Sequence, residues 1–328
     1  MPALRWKFVF AAAVMSAAQL LEPSFAQGAD TYPSRPIHLV VPFTPGGGTD
    51  TLARVLAQQM GEYLHATVIT ENRPGAGTVV GSDYVARSSP DGYTVLLTTS
   101  AHAINQTLVP KLPYSVEKNF ASIALVGQAP NILVVRPDSQ FKRVQDIVAY
   151  AKAHPGKLTY GSSGTGTAVH LAAELFKSTA HIDLTHVPYK GANPAMTDLL
   201  GGQIDMFFGT SGAVSPLVKA GKLRAIAVTS AQPSPAWPGI PTIAESGYPD
   251  YVADVWYGLF AAAGTPAPII QKLNQAVNAA VRSQLYSQRM ASEGLDSPPS
   301  TPAELDAYVQ AEVRRWRKVI EDGHITAG

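Results

Sequence analysis

An apolar run, Ile37 to Phe43, ends in three consecutive glycines, Gly46-Gly47-Gly48, and a helical pattern of Leu52, Val55, Leu56 and Met60 follows at once. A glycine turn between a strand and a helix leaves backbone N–H groups exposed at the positive end of the helix dipole, where an anion can be held without a charged side chain. The unit recurs. Leu158 to Gly161 leads into Ser162-Ser163-Gly164-Thr165-Gly166-Thr167, and a second helical pattern follows on Val169, Leu171, Ala172 and Leu175, about 115 residues after the first. Both units need a parallel sheet, because ligand-binding turns in open sheets lie beyond the carboxyl ends of the strands.

The remainder of the chain agrees with that demand. Strands are expected at Ile37–Phe43, Thr67–Glu71, Tyr93–Thr98, Ile123–Gly127, Ile132–Val135, Leu158–Gly161, Leu184–Val187, Ile204–Phe208, Leu223–Val228 and Trp256–Ala261. Helices are expected at Thr49–Tyr63, Val79–Arg87, Val144–His154, Thr167–Thr179, Pro194–Leu200, Val214–Ala220, Pro268–Arg282 and Thr301–Glu321. Runs such as His38-Leu39-Val40-Val41 and Ala225-Ile226-Ala227-Val228 have the character of strands covered on both faces. The alternation predicts an α/β fold, and the length favours two domains. If each glycine unit belongs to its own domain, the turns face each other across a cleft. The hydroxyls of Thr49, Ser162, Ser163 and Thr165 then join the N–H groups around a carboxylate.

The first residues predict export. Arg5 and Lys7 precede the apolar run Phe8 to Leu21, and Ser24-Phe25-Ala26 offers the small residues read by signal peptidase, so residues 1–26 are expected to leave before Gln27. The run is shorter than the roughly 20 apolar residues a spanning helix needs. The 25 basic and 24 acidic residues become 23 of each once Arg5, Lys7 and Glu22 are removed. No basic stripe points to nucleic acid. With no cysteine in the chain, disulfides and thiol chemistry are excluded.

Other uses of the glycines fit less well. Gly46-Gly47-Gly48 lacks the G-x-G-x-x-G spacing of dinucleotide folds, Gly161-Ser-Ser-Gly-Thr-Gly inverts it, and no Gly-Lys-Ser/Thr phosphate loop occurs. A tight structural turn without a ligand is the other reading of each unit. The histidines show no metal-ligand spacing, no nucleophile elbow is present, and the carboxylates form no evident acid/base pair. No catalytic residue, metal or cofactor is expected. His102 and His170 are read as cap or packing residues, with a place on the cleft as the alternative.

An ordered series of motifs then resembles one family. It runs from Tyr32-Pro33-Ser34-Arg35-Pro36-Ile37 and the Pro42–Asp50 turn to Glu71-Asn72-Arg73-Pro74-Gly75-Ala76-Gly77 and Ser89-Pro90-Asp91-Gly92-Tyr93-Thr94. It continues through His186-Val187-Pro188-Tyr189-Lys190-Gly191, Asp198 to Asp205, Gly221 to Ala225, Pro241 to Gly247 and Gly264-Thr265-Pro266. Nearly all of the chain after the leader is similar to the Bug family, the periplasmic solute-binding proteins of tripartite tricarboxylate transporters. The resemblance implies a two-domain periplasmic-binding-protein (Venus-flytrap) fold with the ligand cleft between its domains. Domain 1 is expected at 27–128 and 251–328 and domain 2 at 129–250. The implied function is capture of a small carboxylate by domain closure and delivery to a membrane permease; the ligand classes are di- or tricarboxylates, acidic amino acids and aromatic carboxylates. A carboxylate-sensing subunit and an exported hydrolase are the alternatives.

The expected ligand-binding residues are Phe43, Gly46, Gly47, Gly48 and Thr49 of the first turn, and Thr99, Ser100 and Ala101 at the end of the third strand. Ser162, Ser163, Gly164, Thr165 and Thr167 are expected from the second turn, with Tyr189 and Lys190 at the rim and Asp205 as a water or ammonium partner. Phe43 covers the apolar part of a ligand or packs in the core, and the Pro-Tyr-Lys-Gly turn is equally open to a structural role. Asp50 is assigned to capping the first helix. Arg73 is left to pair with Glu71 or another acid.

Overall fold

The computed structural model describes residues 32–291 and 294–326. The leader lies outside the described residues. From the first strand the chain runs β1 (Ile37–Val41), α1 (Gly48–Leu64), β2 (Val68–Asn72), α2 (Val79–Ala86), β3 (Thr94–Thr99), α3 (Ala101–Leu108) and β4 (Phe120–Ala129). It continues through β5 (Asn131–Val135), α4 (Val144–Ala153), β6 (Thr159–Ser162), α5 (Ala168–Ala180), β7 (Thr185–Pro188), α6 (Ala192–Leu200), β8 (Met206–Thr210), α7 (Ser211–Lys219) and β9 (Arg224–Val228). It closes with β10 (Val255–Ala262), α8 (Ala267–Arg282), α9 (Gln284–Ala291) and α10 (Pro302–Asp322). Every expected strand is present with small shifts at its ends. Helices α3 and α9 were not expected.

The strands form two five-stranded sheets, ordered β2-β1-β3-β10-β4 and β7-β6-β8-β5-β9. In the first, β1 pairs in parallel with β2 (Ile37 opposite Val68) and β3, while β10 runs antiparallel between β3 and β4 (Tyr257 opposite Thr99). In the second, β6 is parallel to β7 and β8, and β5 runs antiparallel between β8 and β9 (Asn131 opposite Thr210). In each sheet the first strand reached from the other sheet, β5 or β10, is inserted antiparallel between two strands. The sheets change between Ala129 and Asn131, and again between Val228 and Val255.

These two passages are bonded to each other. The Asn131 amide N–H donates to Thr229 Oγ1 at 2.8 Å and the Asn131 side chain donates to the Ala253 carbonyl at 2.7 Å. The backbones of Thr229 and Asn131, and of Ala253 and Thr229, add bonds of 2.9 and 3.0 Å. Asn131 and Thr229 are fully buried, so each bond is shielded from competing water.

Burial explains the elements. All eight residues of β10 are buried, as a strand covered on both faces requires. Helix α8 buries Ile269, Ile270, Leu273, Ala276, Val277, Ala280 and Val281, one stripe of a 3.6-residue period. Helix α10 starts at a capping box in which Thr301 and Glu304 each accept the other's backbone N–H, with Pro302 at the first helical position. Helices α1, α8 and α9 pack together, as do α3 and α10. From Arg35 onward the two sheets and their helices belong to one compact unit. No helix of the described residues is long and apolar enough to cross a membrane.

Candidate functional site

Four helices begin at one small cavity. Its volume is about 40 Å³, and its lining includes Gly47, Gly48 and Thr49 at the start of α1, Thr167, Ala168 and Val169 at the start of α5, Gly191 and Ala192 at the start of α6, and Thr210 before α7. The N-cap residues of these helices are Gly47, Thr167, Gly191 and Thr210, and none of the four uses a side chain to satisfy the leading N–H groups. Phe43, Thr44, Thr99, Ser163 and Val255 complete the wall, so no charged side chain lines the cavity. It has room for roughly three waters, or for one carboxylate head. Uncapped N–H groups and convergent positive dipoles make it a seat for an anion.

A wider chamber of about 310 Å³ adjoins this seat and shares Phe43, Thr44, Ser163, Thr167 and Gly191 with it. Pro42, Pro74, Gly75, Ala76, Gly77 and Thr78 form one side, and Gly164, Tyr189 and Lys190 the other. Lys190 is the one charged residue of either lining among the described residues. Tyr189 spends its hydroxyl on Asp198, donating at 2.7 Å, and so brings its ring to the chamber without a free polar end. Ala76 and Thr78 both have positive φ (45° and 84°), a local strain of the kind that collects at ligand clamps.

The turns of the two sheets meet around the seat. A Cβ on Gly77 would collide with the carbonyl oxygen of Thr165, and one on Gly48 would lie 2.8 Å from Thr210 Oγ1. Gly46 approaches Asn193, and Gly166 approaches Asn105. At Gly77 backbone meets backbone, and at Gly46, Gly48 and Gly166 a side chain from across the seat takes the place of a Cβ.

Several expected residues are brought together: Phe43, Gly47, Gly48, Thr49, Thr99, Ser163 and Thr167 line the seat, and Gly164 and Tyr189 the chamber. Others are not. Gly46 is exposed, and its N–H donates to Asp50 Oδ2 at 3.0 Å. Ser100 Oγ accepts the Trp256 N–H at 3.1 Å, stitching the end of β3 to the start of β10, and Ala101 begins α3 with its N–H on Thr99 Oγ1. Ser162 Oγ lies 2.7 Å from His186 Nε2, behind the turn. Thr165 lines a groove on the outer flank. Asp205 stands just ahead of β8, at the opposite end of the sheet from Thr210, and accepts the N–H and hydroxyl of Thr159 at 2.8 and 2.9 Å. Its carboxylate closes the strand start and does not approach the seat.

Asp50 also departs from expectation. Gly47 holds the N-cap position and Asp50 lies in the first turn of α1. Its carboxylate accepts from Gly46, Arg54 and Asn72. Burial pushes its pKa up, but the hydrogen bonds from Arg54, Gly46 and Asn72 together outweigh burial and hold it below the usual carboxylate value. Arg73 pairs with Glu71 at 2.8 Å, as expected, and lies over the Tyr84 ring. Sequence reasoning missed Gly191, Ala192 and Thr210. A helix start after a short strand was the available signal at each.

The model of the tripartite tricarboxylate transporter family receptor matches residues 52–325. The chain belongs to this receptor family. BugT of Bordetella pertussis is 38% identical over 296 residues, covering 90% of this chain and 91% of BugT. The structure of the periplasmic binding protein BugD superposes with a TM-score of 0.86 at 34% identity, over 90% of this chain and 99% of that one. R. palustris Rpa4515 with adipate superposes with a TM-score of 0.86 at 35% identity, again over 90% and 99% of the two chains. The chain thus has the two-domain α/β periplasmic-binding-protein fold, and the receptor family captures small carboxylates for a tripartite tricarboxylate transporter in the periplasm. Its members are solute-binding transport proteins, and the hydrolase alternative falls with that membership.

Proposed function

We propose that this receptor captures a small dicarboxylate by closing its domains and delivers it to the permease subunits of its transporter. One carboxylate occupies the seat, accepting N–H groups from the starts of α1, α5, α6 and α7. The observation that carries this reading is the convergence of four helix starts without side-chain caps on a cavity with no charged side chain. The ligand's body lies along Phe43, Pro42 and Pro74 in the chamber, and Lys190 faces its second carboxylate. Adipate in the relative Rpa4515 is a ligand of this kind.

In this reading domain 1 comprises 27–128 and 251–328, domain 2 comprises 129–250, and residues 1–26 are the cleaved leader. Closure is driven by the ligand's greater affinity for the closed form. A thermal-shift screen of the protein against linear diacids, tricarboxylates, monocarboxylates and acidic amino acids tests it. A diacid should raise Tm most, and Lys190→Met should erase its advantage over the matching monocarboxylate. Stabilisation by an acidic amino acid or a monocarboxylate above any diacid would overturn the assignment.

A further inference from the structure

Behind the second turn lies a stack of three rings that the carboxylate site does not use. His170 and His186 have ring centroids 4.2 Å apart, and Tyr160 stacks on His186 at 4.8 Å. Each imidazole is bonded to the turn. The Gly166 N–H donates to His170 Nδ1 at 3.2 Å, and Ser162 Oγ meets His186 Nε2 at 2.7 Å while accepting the Gly164 N–H at 3.2 Å. A backbone N–H can only donate, so Nδ1 of His170 must carry no proton. His170 also stands in the first turn of α5, where the dipole disfavours a cation. On their other side the two imidazoles line a solvent-open groove of about 810 Å³, which gives protons a path that avoids the seat.

We propose that His170 and His186 are positioning residues for the seat, and that they hold the Ser162–Thr167 turn in shape only while the His170 imidazole is neutral. This rests on the reading of the seat as a carboxylate site. A proton on His170 Nδ1 would set N–H against the Gly166 N–H, and that bond would be lost. The turn would then withdraw Ser163 and Thr167 from the seat.

The surroundings favour the neutral pair. Burial, then His186 and then Lys177 lower the His170 pKa to about 3. Burial lowers His186 to about 4, with Glu174 opposing and Lys177 adding to the shift. Glu174 is held by the Tyr160 hydroxyl and by Lys177 Nζ at 2.8 Å. His181 just after α5, Asp322 at the end of α10 and His324 beyond it line the same groove.

The test titrates the full chain from pH 7 to about pH 3, where His170 reaches its midpoint, following the imidazole nitrogens and the Gly166 amide by NMR and adipate, succinate and citrate affinity by calorimetry. The Gly166 amide should move with His170 near pH 3, and wild-type affinity should fall more steeply below about pH 4 than that of His170→Asn, whose profile reports the acids' own protonation alone. His170→Asn keeps an acceptor near the Nδ1 position without a titrating group. It should retain affinity at pH 7 and flatten the pH profile. His170→Phe keeps the ring stack without the acceptor, and should weaken binding at pH 7 by roughly five- to tenfold. A Gly166 amide indifferent to the His170 titration, or an unchanged pH profile in both variants, would overturn the proposal. Gly166 following His170 with none of the three acids bound would support the positioning role and count against the carboxylate reading.

Discussion

Asp50 shows how one side chain supports a turn that it does not enter. Its carboxylate is almost fully buried and joins Gly46, Arg54 and Asn72, while Asn72 also donates to the Phe43 carbonyl at 3.1 Å. The triple-glycine turn, with little stiffness of its own, is thereby tied to β2. Asp50→Ala should cost about 2 kcal/mol of stability, because Gly46 and Asn72 lose an acceptor, and should weaken carboxylate binding as well. Urea denaturation and calorimetry check both, and a loss below about 0.5 kcal/mol would mean that the tie is slack. From sequence Asp50 reads as a cap because acids at helix starts commonly are; its return bond to Gly46 depends on a turn geometry that residue order does not encode. Asp205 misled for a similar reason. Its neighbourhood, Gly-Gly-Gln-Ile-Asp, shows a loop entering a strand but not which end of the sheet that strand start occupies.

At the scale of elements, the two glycine-rich helix starts were legible because strand, turn and helical period follow one another directly. The starts of α6 and α7 carry no glycine run, and only the sheet order places Gly191 and Thr210 beside Gly47 and Thr167. Helix α3 escaped because Ala-His-Ala-Ile-Asn-Gln-Thr-Leu is only eight residues long and follows β3 after a single residue, with no glycine turn to separate the helix from the strand. The seat's donors can be tested one helix at a time. Ala168 is the first residue of α5, and Thr167 before it has φ −77° and ψ 160°, values a pre-proline residue adopts readily. Ala168→Pro should therefore leave the helix formed, remove one N–H from the seat, and lower carboxylate affinity by roughly tenfold. Circular dichroism and calorimetry separate these effects; full affinity in a folded variant would remove α5 from the seat.

For the whole molecule, acid is the sensitive direction. His102 is fully buried among Tyr114, Phe120 and Phe260, neither ring nitrogen has a hydrogen-bond partner among the described residues, and burial lowers its pKa to about 3. With His170 and His186, it refuses protons that the unfolded chain accepts below about pH 6.5. Stability should fall as pH drops through that value, by about 1.4 kcal/mol per pH unit for a group as buried as His102. Asp254 works in the opposite direction. Burial raises its pKa to about 6, so it favours the folded state at low pH and loses that contribution as pH rises through about 6. Urea midpoints from pH 7.5 to 4.5 should decline with a slope near two protons, and His102→Leu should remove one of them. The glycine meeting across the cleft has a consequence of another kind. Gly77 and Thr165 touch through backbone alone, so this contact brings shape but almost no adhesive apolar surface. In the closure proposed above, a contact made this way checks fit without supplying grip, and the ligand must supply what this contact lacks. Gly77→Ala would act as a doorstop: scattering should show a more open molecule, and diacid affinity should collapse while both sheets stay folded.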